Sequence, residues 1–143
     1  MASIECIFKH CVELEVVDFG CSVMCQKALE LTVKNLPRKV EKLSLCSTEA
    51  HDSHIRTLLS GTQRKITELD LYNTQITAAS INIIIENLKS SLEFLDLGWN
   101  FHLVVDYHDL KSLSVMPRLK MLNVCTTGIV TLDVVIENVG CES

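Results

Sequence analysis

At 143 residues the chain is the size of one domain and long enough to bury a real core. Its composition, 48 % hydrophobic against 22 % charged, excludes a disordered segment. A net charge of −5 argues against phosphate-backbone binding, and apolar runs such as Ile83-Ile84-Ile85 are far too short to span a bilayer. Neither nucleic acid nor membrane is expected as a partner.

The chain opens on SIECIFKHC, where Ile4, Ile7 and Phe8 fall at helical spacing. No basic stretch followed by a long apolar run precedes it, so no signal peptide is read there. The 7 cysteines form no CxxC pair, and their number is odd. Free thiols and a cytoplasmic or nuclear setting are the expectation.

Five segments then line up: LEVVDFGCS from Leu14, VEKLSLCST from Val40, ITELDLYNT from Ile66, LEFLDLGWN from Leu92 and LKMLNVCTT from Leu119. Their starts differ by 26, 26, 26 and 27 residues, a spacing too regular for chance recurrence of so short a pattern. Apolar residues hold the first, fourth and sixth places. The last two of these (Val17/Phe19, Leu43/Leu45, Leu69/Leu71, Leu95/Leu97, Leu122/Val124) alternate with their neighbours as a strand with one buried face requires.

After each strand the period becomes helical. Ile55, Leu58 and Leu59 share one face, as do Ile81, Ile84, Ile85 and Leu88, then Tyr107, Leu110 and Leu113, then Leu132, Val135, Ile136 and Val139. One strand and one helix cannot bury their own apolar sides, so successive units must stack. The fold expected is α/β: a single domain over residues 1–143, a partial repeat over 1–13 and repeats from 14, 40, 66, 92 and 119. The first helix lacks its strand, so the chain reads either as the C-terminal part of a longer array, the favoured reading, or as a solenoid whose first helix serves as an improvised cap.

This L-x-x-L-x-L pattern at a 26-residue period resembles the cysteine-containing and ribonuclease-inhibitor-like leucine-rich repeats. The resemblance implies a right-handed solenoid with a parallel concave sheet and helices on the convex side. At the ninth place, where that class carries Cys or Asn, this chain has Ser22, Thr48, Thr74, Asn100 and Thr127. The junction SIECIFKHCVELEVVDFGC and the stretch LKSLSVMPRLKMLNVCTTGIV look like the repeats of F-box leucine-rich-repeat proteins, the substrate receptors of SCF ubiquitin ligases. No F-box is found, so ligase components would have to be reached through a region upstream of the chain. A ligase-independent adaptor or inhibitor-like binder is the alternative implied.

On such a solenoid the concave face binds a protein. The fifth places form the column Asp18, Ser44, Asp70, Asp96 and Asn123, and with Glu15, Glu41, Glu68 and Glu93 they suggest an acidic stripe for a basic partner. The same Asp and Asn residues are also common, solvated furniture of the repeat. Tyr72, Phe94, Trp99 and Met121 make a second, aromatic candidate patch. Trp99 lies past its strand and is expected either to be exposed or to pack over the edge.

His51 and His54 in TEAHDSHIR lack a second ligand pair at zinc spacing, and are read as the start of a helix capped by Asp52 or Ser53. Cys46 and Cys125 are expected on strands, with no histidine beside them. With no nucleophile elbow or phosphate loop either, no catalytic residue, metal or cofactor is assigned.

Overall fold

The computed structural model describes residues 2–61, 63–125 and 127–128. They form α1 (Ala2–His10), β1 (Val16–Asp18), α2 (Gln26–Asn35), β2 (Lys42–Ser44), α3 (Asp52–Leu59), β3 (Glu68–Asp70), α4 (Ala78–Leu88), β4 (Phe94–Asp96), α5 (Tyr107–Ser114) and β5 (Met121–Asn123). The segment around Leu132, Val135, Ile136 and Val139, expected as a further helix, lies outside the described residues.

The five strands make one parallel sheet in sequence order, and its register follows the repeat. Val17, Leu43, Leu69, Leu95 and Leu122 pair in one row, with Asp18, Ser44, Asp70, Asp96 and Asn123 in the next. Each strand is only three residues long, because the pairing continues into turns: the amides of Phe19, Leu45, Leu71 and Leu97 donate to the fifth-place carbonyls of the following strand. Each helix packs on the next one along the chain, α1 on α2 through to α4 on α5.

The core lies between these two layers. Val40, Ile66 and Leu92 at the first place are buried, as are Leu45, Leu71 and Leu97 at the sixth. Ile55, Leu58, Leu59, Ile81, Ile84, Leu88 and Leu113 meet them from the helices, while Ile85 and Leu110 are partly buried. At the first helix Phe8 is buried edge-on to Phe19, and Ile7 faces solvent. Tyr107 departs from the expected inward face. It is the first residue of α5, where the helix has not yet reached the core, and is exposed.

The ninth-place side chains close the turns of the last four repeats. Thr48, Thr74 and Thr127 donate their hydroxyls to the carbonyls three residues back, at 2.7, 2.9 and 2.8 Å. Asn100 donates to Leu97 and to Leu71 in the preceding repeat, and its carbonyl accepts from the Thr74 amide and hydroxyl. Bonding this complete lets a polar side chain with no exposed surface sit in the core.

The helix starts correct one expectation. His51, rather than Asp52 or Ser53, caps α3: its backbone amide donates to the Nδ1 of His54 at 3.2 Å, while the Ser53 hydroxyl meets its ring nitrogen. Asp52 is the first residue of the helix and reaches across to the next unit. Its carboxylate accepts from the Thr77 amide, the Thr77 hydroxyl and the Ser80 hydroxyl at 2.9, 2.7 and 2.5 Å, fixing the start of α4.

Candidate functional site

The outward row of the sheet was the first candidate, and its geometry begins with the turns. A strand that ends in a tight turn leaves an amide two residues on without a ladder partner, and a short acidic or amide side chain can take it. Asp18, Asp70, Asp96 and Asn123 all do so, accepting from Gly20, Tyr72, Gly98 and Cys125 at 2.7, 3.0, 2.8 and 3.0 Å. The second oxygen of Asp70 takes the Ser44 hydroxyl, and that of Asp96 takes the Asn123 amide, both at 3.0 Å.

The fifth-place column is therefore built into the fold. Its charge still projects from the sheet, but Asp70 and Asp96 have both oxygens engaged. Of the other acids, Glu68 pairs with Lys42 at 2.7 Å. Glu93 is held by Lys120 and Arg118, whose hydrogen bonds pull its carboxyl down to about 2. Glu41 is exposed at the start of β2 and lends its carbonyl to the neighbouring strand.

The aromatic residues divide in two. Phe94 and Met121 are partners across β4 and β5, with Phe94 half-buried and Met121 exposed. Tyr72 and Trp99 belong instead to the turns after β3 and β4, their ring centroids 6.2 Å apart. Trp99 also meets Phe101 edge-on at 5.8 Å, a residue that sequence reasoning missed because it lies outside the repeat pattern. Trp99 is 44 % exposed and Phe101 65 %.

Trp99 does not fold back over the sheet edge, and the cause is local. The eighth place of the first four repeats takes a left-handed backbone: Cys21, Ser47, Asn73 and Trp99 have φ of 59°, 53°, 52° and 56°. That conformation lets the amide of each bond the seventh-place carbonyl of the next repeat, as Trp99 does with Cys125 at 2.8 Å. For a residue with a bulky side chain it costs about 1 kcal/mol or more. Gly98 beside it leaves room for Tyr72, since a Cβ there would stand 3.1 Å from the tyrosine ring and 3.2 Å from the Asp96 carboxylate.

Cys46 and Cys125 lie just past their strands, in the turns, rather than on them. Partial burial pushes the Cys46 thiol up, away from nucleophilic reactivity. His54 is buried against His51, with rings 4.1 Å apart, and burial lowers its pKa. Among the described residues no three His, Cys, Asp or Glu side chains are grouped to hold a metal, and no helix is long and apolar enough to cross a membrane.

No known family profile matches the chain, and no curated protein is significantly similar to it. Solved structures do resemble it. A domain of leiomodin-1 titled actin-binding site 2 superposes with a TM-score of 0.74 at 20 % identity, covering 96 % of this chain and 83 % of that one. The tropomodulin C-terminal domain of Caenorhabditis elegans gives 0.74 at 12 % identity, covering 96 % and 89 %. At such identities the likeness is one of fold: helices and a parallel sheet in the same arrangement. Neither of these two structures is described as an F-box protein.

Proposed function

We propose that this chain is a right-handed leucine-rich-repeat solenoid whose work is to hold another protein, not to catalyse a reaction. Its repeats are taken to begin at residues 14, 40, 66, 92 and 119. The observation that carries the reading is the Trp99–Phe101 pair, two large aromatic rings exposed on a turn whose backbone spends conformational energy to keep Trp99 there. Exposed aromatic anchors at a rigid edge are what protein interfaces use as hot spots. Tyr72 and the fifth-place carboxylates of Asp70 and Asp96 flank the pair and would set its specificity, with Asp18, Glu41, Glu68, Phe94 and Met121 extending the contact over the sheet.

A photo-crosslinking residue placed at exposed His102, beside Phe101, tests this against the same residue placed at Asn82 on α4. Specific capture of one partner from His102, abolished by Trp99→Asn, is expected. Equal capture from both positions would move the binding surface away from the turns. Actin is a defined probe for the same assay, because the leiomodin-1 domain is named for an actin-binding site. The finer reading, substrate recognition for an SCF-type ubiquitin ligase in the cytoplasm or nucleus, draws its support from the repeat-junction resemblance. Failure of the full-length gene product to recover a cullin-complex component would leave the ligase-independent adaptor.

A further inference from the structure

In a parallel sheet every strand ends at the same edge of the molecule, so the loops sort into two rims whatever their order in the chain. The loops after the strands, residues 19–25, 45–51, 71–77 and 97–106, contain no lysine or arginine at all. They carry Glu49 and Asp106, and the strands feeding them end in Asp18, Asp70 and Asp96. The segments before the later strands, residues 36–41, 60–67, 89–93 and 115–120, hold seven of the thirteen lysines and arginines. A cleft of about 390 Å³ at that opposite edge is lined by Arg38, Lys39 and Lys65 together with Glu15, Glu41 and Gln63. The modest net charge of −5 thus conceals a molecule polarised along its strands.

The exposed aromatic rings stand on the rim that lacks lysine and arginine. Trp99 and Phe101 meet there, Tyr72 leans over Gly98, and the Asp96 carboxylate borders the same glycine. Because Asp70 and Asp96 are tied to turn amides and to Ser44 and Asn123, their charges are held at this rim, and among the described residues neither forms a salt bridge. The faces of aromatic rings and fixed carboxylates favour one kind of group in common, a planar cation that stacks and accepts no hydrogen bond.

We infer that this rim takes a basic protein segment, with arginine side chains stacking on Trp99 and Phe101 within the field of Asp70 and Asp96. The inference deepens the function proposed above and rests on it. Trp99 is the chain's single tryptophan, so its emission reports directly on the rim. Dye-labelled peptides of equal length carrying arginine, lysine or glutamate serve as probes, read by anisotropy and by Trp99 emission.

Saturable binding of the arginine peptide, a shift in Trp99 emission and weakening with added salt are expected, with the lysine peptide weaker and the glutamate peptide silent. Trp99→Asn should lose about tenfold in affinity and Asp96→Asn about threefold. Asn suits both positions: Asn73 holds the same left-handed place, and Asn123 the same turn-capping place. Unchanged circular dichroism confirms that each variant is folded. Binding of the glutamate peptide as tight as the arginine peptide, or folded variants that bind undiminished, overturns the inference. A partner cross-linked through His102 whose binding ignores salt, or whose capture is independent of Trp99, also overturns it while leaving the protein-binding reading intact, whereas no specific capture from either position defeats both.

Discussion

Asn100 ties two turns together with one side chain. Its amide donates to Leu97 and Leu71, and its carbonyl accepts from Thr74, all without exposure to water. Truncation strands several buried groups at once, and each unsatisfied one costs about 1–3 kcal/mol. Asn100→Ala is therefore expected to destabilise the fold by about 3 kcal/mol in urea unfolding, whereas Asn100→Thr, the side chain used by the neighbouring repeats, should recover part of that. A loss below about 1 kcal/mol would mean that water readily replaces the bonds. Arg64 plays a comparable part away from the turns: buried, and with no carboxylate partner among the described residues, it donates to the carbonyls of Leu36, Pro37 and Leu58. There it closes the C-terminal ends of two helices.

At the scale of the element, the start of α3 governs how the fold meets acid. His54 is buried beneath the cap, and its pKa is lowered by desolvation first and by the charge of His51 second. A histidine whose folded pKa lies below 6.5 binds its proton more readily in the unfolded chain. Its contribution is complete above about pH 6.5 and is lost as pH falls below that value through the folded pKa. Asp52 adds a second step. Burial alone would raise its carboxyl, but bonds from Ser80 and Thr77 and the charge of His51 outweigh that and hold it below 3.8. Its contribution persists above that value and disappears as pH falls through the lowered folded pKa.

Denaturant midpoints taken from pH 8 to pH 3 should therefore decline in two stages. His54→Gln should flatten the first and leave the second, and an unaltered slope below pH 6.5 in that variant would show that another group titrates there. The same Asp52 bonds join α3 to α4, so acid should loosen the contact between units before it melts either helix alone.

For the whole molecule, stability follows position in the stack. Leu69 is covered by a strand on each side and has no exposed surface, whereas Leu122 in β5 is only partly buried. Leu69→Ala should cost about 3–4 kcal/mol and Leu122→Ala about half that, because truncating a partly buried side chain removes less buried surface and leaves a smaller cavity. Equal losses in urea titrations would indicate that β5 is as well supported as β3. Backbone amides of β1 should exchange before those of β3 for the same reason.

The period itself determined much of this. An apolar residue at the first, fourth and sixth places every 26 or 27 positions admits one burial-compatible arrangement, so the parallel sheet, its register and most core residues were legible without coordinates. Aromatic residues at the turns were legible as candidates too. Several things were decided only by the tertiary structure. The turns tied the acidic column to their own amides, because the amide that Asp70 or Asp96 must satisfy belongs to a turn whose shape no six-residue pattern records. Helix stacking made His51 the cap and sent Asp52 to a partner twenty-five residues away. Stacking in parallel also gathered loops scattered along the chain onto one edge, and so created from a mildly acidic sequence a rim without lysine or arginine, with Trp99 and Phe101 upon it. Local sequence sets which face of each unit is buried; only the assembled sheet sets which loops become neighbours.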